Sequence, residues 1–130
     1  MGVARHGVVT LDCADARPLA DFWAAMLDGE IVYETETTVL VRTEWLTLGA
    51  MVTPDYEPPT WPAPDVPKQI HLDLAVDDLE MAASEARRLG AVPASVQPAP
   101  DRRCVMLDPA GHPFCLTTQV PRGALPASPP

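Results

Sequence analysis

Apolar residues at Leu19, Phe22, Trp23, Met26 and Leu27 recur at i, i+3, i+4, i+7 and i+8. That spacing puts one broad stripe on a helix face. Asp15 stands where an N-cap belongs, Pro18 is tolerated in the first turn, and Gly29 is placed to close the helix as its C′ residue. The preceding stretch, Val8–Cys13, is β-branched and apolar enough for a strand. Three more strand candidates follow the helix: Glu30–Glu36, Thr37–Thr43 and Trp45–Val52. The same order then returns. Ile70–Val76 reads as a strand, and Asp77 with Glu80 forms a D-x-x-E variant of the capping box. Leu79, Ala82, Ala83, Ala86 and Leu89 repeat the helical stripe with smaller residues, and Gly90 ends it. Strands are expected at Val92–Gln97, Arg103–Leu107 and Pro113–Gln119, with "DPAGHP" (108–113) as a tight turn between the last two. A strand-helix-strand-strand-strand unit written twice predicts a pseudo-symmetric α+β domain rather than a solenoid. The expected division is one domain over 1–120, with module one at about 5–52, a loop at 53–68 and module two at 69–119. Residues 121–130 read as a disordered tail.

Composition narrows the partners. The chain has 130 residues, 47% of them hydrophobic, enough for a core without staples. A net charge of −9 argues against nucleic acid and anionic membrane, and would steer a cationic ligand inward. No apolar run approaches the ~18 residues of a transmembrane helix, and the N-terminus lacks the pattern of a signal peptide. Cys13, Cys104 and Cys115 are odd in number and share no C-x-x-C spacing, which speaks against zinc and a disulfide framework and for a reducing cytoplasm. The 53–68 segment carries Tyr56 and Trp61, and aromatic rings argue against a bare linker.

Three motifs sharpen the picture: "LDCADARPLADFW", "PDYEPPTWP" followed by "HLDLAVDDL", and "LDPAGHPFCL". With the tandem repeat, this ordered set resembles the glyoxalase-like subgroup of the vicinal oxygen chelate superfamily, which holds glyoxalases, extradiol dioxygenases and bleomycin-resistance proteins. The resemblance covers roughly residues 5–119. It implies two tandem βαβββ modules forming a half-barrel cleft, each with its helix on the convex side. Strand alternation would then turn Val9, Leu11, Cys13, Ile70, Leu72 and Leu74 toward the helices. Val8, Thr10, Asp12, His71, Asp73 and Ala75 would face the cleft, as would Trp45, Thr47, Gly49 and Met51, with Gly49 leaving room for a ligand. The resemblance also implies small-molecule partners and allows a homodimer.

Metal-dependent members take ligands from the first and last strands of each module. Carried onto this chain, those positions read Val8 (or Thr10), Met51, His71 and Cys115. Only His71 is a good ligand, so no metal and no other cofactor is expected. The candidate ligand-binding residues are Thr10, Asp12, Trp45, Met51, Trp61, His71, Asp73 and Cys115. His71 is either a satisfied core histidine or a cleft group, and is the catalytic candidate, since imidazole suits proton transfer near neutral pH. Cys115 reads as a small buried thiol, or as a nucleophile if His71 is adjacent. Trp61 either lids the site or pins the loop. The leading function is a cytoplasmic protein binding a small, partly apolar molecule, with drug sequestration as one form. The alternatives are a metal-independent lyase, isomerase or cyclase using His71 or a nearby aspartate, a metal-dependent lyase or dioxygenase, and a partner-binding domain. Whether the chain is an enzyme stays open at this point.

Overall fold

The computed structural model describes residues 2–124. Of the expected tail, 125–130 lie outside the described residues. Two βαβββ modules are present, in the order β1 (Val9–Cys13), α1 (Ala16–Met26), β2 (Glu30–Glu34), β3 (Thr38–Arg42), β4 (Thr47–Val52), then β5 (Leu72–Ala75), α2 (Leu79–Leu89), β6 (Val92–Pro93), β7 (Arg103–Leu107) and β8 (Pro113–Thr117). The sheets are ordered β1-β4-β3-β2 and β5-β8-β7-β6, so the two modules share one topology. In each, the first strand runs parallel to the last and the remaining pairs are antiparallel. The chain forms two compact units. Unit one takes the residues up to Pro58 plus Pro109–Gly111, and unit two takes Pro59–Asp108 and the residues from His112 on.

In unit one the helix stripe supplies Leu19, Phe22 and Trp23 to the core, where they join Leu11, Cys13, Val39, Val41, Leu48 and Ala50. Phe22 and Trp23 meet edge to face at 5.1 Å, a geometry worth about 0.5–1.5 kcal/mol beyond burial. A register shift between Ile31 and Tyr33 turns Glu34 toward α1, where Arg17 Nη1 reaches it at 2.8 Å. In unit two Leu74, Ala86, Met106, Phe114 and Leu116 are buried on the helix side.

Several local expectations shift. Asp28, with φ of 51°, takes the left-handed turn after α1. Gly29 is needed instead for close approach, because a Cβ there would lie 2.8 Å from the Arg42 carbonyl oxygen. The cap of α2 is Asp78, one residue later than expected, and its side chain accepts from the Met81 amide. The strand expected at Val92–Gln97 is only Val92–Pro93. Beyond it the Gln97 side chain serves the neighbouring strand: Nε2 donates to the Val105 carbonyl at 2.8 Å, and Oε1 accepts from the Val105 amide at 2.8 Å. A side-chain amide thus does the pairing that a continued backbone would have done. The strand expected at Ile70–Val76 begins at Leu72, paired with Phe114. The next position on β8 is Pro113, which has no N–H to extend the ladder. Ile70 is therefore exposed rather than packed on α2.

Candidate functional site

The resemblance puts the binding residues on the open face of each sheet, opposite its helix. In unit one Thr10 and Asp12 lie exposed on β1 and pair with Gly49 and Met51 of β4. Gly49 leaves no room for a ligand: a Cβ there would lie 2.9 Å from Thr10 Oγ1 and 3.0 Å from Leu40 Cδ2. Trp45 belongs to the turn before β4, where the Thr43 hydroxyl accepts from the Trp45 and Leu46 amides. Its ring is exposed in that turn, off the strand that carries Thr47, Gly49 and Met51.

Unit two brings four of the candidates together. A depression of about 210 Å³ is lined by Trp61, His71, Asp73 and Cys115, with Lys68, Pro98, Arg103, Val105, Pro113 and Phe114. Asp73 sits opposite Cys115, and Cys115 opposite Val105, so β5, β8 and β7 each place one residue in a row across this face. Trp61 is brought to the rim by a small closed loop. The Thr60 amide donates to the Val66 carbonyl at 2.7 Å, and the Thr60 hydroxyl accepts from the Val66 amide at 2.8 Å. The Trp61–Pro62 peptide is cis. Lys68 Nζ stands 5.4 Å from the Trp61 ring centroid, within cation–π range. Tyr56, by contrast, works as a pin in unit one, where its hydroxyl donates to the Ala110 carbonyl at 2.8 Å.

His71 is not a core histidine. Its side chain is 40% exposed, and Nε2 lies 3.4 Å from Asp73 Oδ1. The pair can orient the imidazole, but so exposed a contact adds little stability. Asp108 follows turn chemistry: it is buried, its carboxylate accepts from the His112 amide at 2.9 Å, and its own amide donates to the His112 carbonyl. Burial pushes the Cys115 thiol above its ordinary value, with the Asp73 charge and hydrogen bond adding to the rise and Arg103 and Lys68 partly opposing it. A raised thiol holds less thiolate at a given pH, so Cys115 is poorly armed as a nucleophile. At pH 8 its alkylation by iodoacetamide, mapped by mass spectrometry, is expected to run several-fold slower in the folded protein than in urea and to accelerate as pH rises. Equal or faster alkylation in the folded protein would restore the nucleophile reading.

The donor set does not fit a resident divalent metal. In unit one the positions implied by the resemblance hold Val8, which has no donor atom, or in the other register Thr10, whose neutral hydroxyl is a weak donor, and Met51, whose thioether is a poor partner for a hard or borderline cation. In unit two they hold His71, engaged with Asp73, and Cys115, one imidazole and one thiol, too few ligands for a stable site. Among the described residues no three His, Cys, Asp or Glu side chains gather as a group that could hold a metal ion. Among those residues, too, no helix is long and apolar enough to cross a membrane.

Lys68, Arg103 and Val105 escaped the sequence reading of the site. The strand Arg103–Leu107 was foreseen with its observed bounds, so its alternation alone would have placed Arg103 and Val105 on one face. Nothing in the proline-rich segment before β5 signals the position of Lys68.

Solved structures with the same fold include the fosfomycin resistance protein FosX from Mesorhizobium loti, at 16% identity and a TM-score of 0.68, covering 94% of this chain and 97% of that one. A variant of FosX from Listeria monocytogenes, complexed with Mn(II) and 1S,2S-dihydroxypropylphosphonic acid, aligns at 14% identity and a TM-score of 0.69, covering 94% and 98%. The bleomycin-binding protein from bleomycin-producing Streptomyces verticillus, complexed with copper(II)-bleomycin, aligns at 21% identity and a TM-score of 0.58, covering 92% and 100%. No curated protein matches the chain by sequence. The profile of the glyoxalase-like domain matches residues 8–117. With both βαβββ modules inside that match, the chain belongs to the glyoxalase-like domain family.

Proposed function

We propose that this protein binds a small, partly apolar molecule on the open face of its second unit, without a resident metal. The observation that carries this reading is the depression itself. Val105 and Pro113 supply an apolar floor, Trp61 an aromatic rim, and His71 and Asp73 a few polar groups, the usual make-up of a small-molecule site. Structural neighbours that act in fosfomycin resistance or bind bleomycin make drug sequestration one form of this function. The reducing cytoplasm suits a chain whose three cysteines are free.

The test is a thermal-shift screen with small aromatic and heterocyclic compounds, followed by Trp fluorescence. A binder present at about 100 times its Kd is expected to add about 2.7 kcal/mol to stability. Trp61→Ala, at a rim position outside the core, should fold normally and lose that shift. If no compound raises the Tm, or if Trp61→Ala responds as the parent does, the reading fails.

A second reading rests on the His71–Asp73 pair. An accessible imidazole next to a carboxylate can accept a proton from a bound substrate, as a metal-independent lyase, isomerase or cyclase requires. His71→Ala should then keep its fold and its affinity and lose turnover of the bound compound, followed by mass spectrometry. Unchanged turnover in that variant rejects the enzyme.

A further inference from the structure

We infer that the ligand of the second unit carries an anionic head group, a carboxylate or a phospho group, held by Lys68 and Arg103. The inference rests on the proposed ligand site and concerns the chemistry of its occupant. The chain as a whole is acidic, with nine Lys and Arg against eighteen Asp and Glu. The second unit's open face reverses that balance. Lys68 and Arg103 line the depression with Asp73 as its one carboxylate. An adjoining hollow of about 520 Å³ shares Asp73 and Arg103 and adds Arg102. Three of the nine cations thus line these two hollows against one of the eighteen acids.

These cations are also uncommitted. Arg17, Arg42 and Arg88 each close an ion pair with a carboxylate elsewhere on the chain. Among the described residues Lys68, Arg102 and Arg103 close none. The single acid lining the depression is engaged by His71, whose Nε2 lies 3.4 Å from Asp73 Oδ1. Lys68 is held over the Trp61 ring, which fixes its ammonium at the rim while leaving N–H groups to donate. Arg103 projects from β7 two residues before Val105, so its guanidinium fork flanks the apolar floor. A planar fork and a point charge lining one partly apolar depression match an oxyanion on an aromatic or aliphatic body. The net charge of −9 does not override this. At physiological salt, exposed charges more than about 8 Å away are largely screened, so the near groups decide. The cationic ligand expected from net charge is thereby replaced by an anionic one.

Four probes of similar size isolate the head group: phenylacetate, phenylphosphonate, phenylacetamide and phenethylamine, titrated by calorimetry at fixed ionic strength. At least one of the two anions is expected to bind ten-fold or more tighter than the neutral amide, and the amine is expected to bind weakest. The stronger anion identifies the head as carboxylate or phospho. Arg103→Gln and Lys68→Gln should each collapse the preference, the better anion's affinity falling toward the amide's measured on the same variant, and Arg103→Lys should restore part of it. Both positions lie outside the core, so these variants keep their fold. Amide or amine binding as tight as the better anion overturns the inference and leaves the binding site standing. An anion preference that survives both Gln variants overturns the assigned residues. Absence of binding by all four overturns the inference together with the site.

Discussion

Phe114→Ala is expected to lower the unfolding free energy by about 3–5 kcal/mol, the usual cost of deleting a fully buried aromatic ring. Phe114 is 1% exposed and sits on β8, between β5 and β7, directly paired with Leu72 and Met106. Its ring belongs to a small core, because α2 contributes chiefly alanines and only Ala86 on that helix is fully buried. Small residues on α2 leave the volume between helix and sheet to be filled from the sheet side. Alanine at 114 would therefore open a cavity that α2 has no long side chains to refill. Against a total stability of about 5–15 kcal/mol, that loss is large. Urea unfolding followed by circular dichroism reads it directly. Phe114→Leu, which keeps most of the volume, should cost much less. A loss below about 1 kcal/mol in the alanine variant would show that the second unit does not pack as described. Because Phe114 also borders the depression, ligand affinity should fall in the same variant.

Gly111→Ala carries the second largest expected effect, a loss of about 2–5 kcal/mol. Two causes combine. Gly111 has φ of 89°, a conformation that costs an L residue about 1–2 kcal/mol. A Cβ there would also lie 2.8 Å from Pro58 Cβ, and forcing extra volume into a packed contact costs about 1–3 kcal/mol. The causes can be separated. Pro58→Gly removes the opposing Cβ, so the double variant should recover the steric part, about 1 kcal/mol or more, and keep the conformational part. Calorimetric unfolding of the four proteins in that cycle measures both. A Gly111→Ala protein within about 0.5 kcal/mol of the parent would mean the turn relaxes freely.

The fold was largely readable because its strands and helices carry strong periodic signals. β7 was placed residue for residue, and the α1 stripe led directly to buried Leu19, Phe22 and Trp23. The errors lie where one residue competes with another for the same task. Asp28 displaced Gly29 from the left-handed turn, Asp78 displaced Asp77 as the cap, and the Gln97 side chain took the place of a strand backbone. The last two involve a polar side chain substituting for a backbone group, and the first a non-glycine residue at positive φ, neither of which periodicity registers. The site was readable in part for the same reason. Asp73 follows from strand alternation, Cys115 from the position the resemblance implies on the last strand, and Trp61 from its presence in an otherwise structureless segment. Gly49 looked like space because a missing side chain says nothing of neighbours filling its place, here Thr10 and Leu40. The charge of the second unit's face was hidden too, because net charge sums over the chain and a local cluster of opposite sign vanishes into the total.

The turn at Pro109–Gly111 interrupts unit two in sequence but belongs to unit one, where Ala110 receives the Tyr56 hydroxyl and Gly111 lies against Pro58. The two repeats are therefore not separable by a single cut of the backbone. Severed after Pro58, the first half would keep its whole sheet and helix yet lose the three residues that its final segment rests on, and the second half would present that turn with nothing to receive. A chain that looks like one module copied twice has become, through three residues, a pair of halves neither of which is spelled by a continuous stretch of gene.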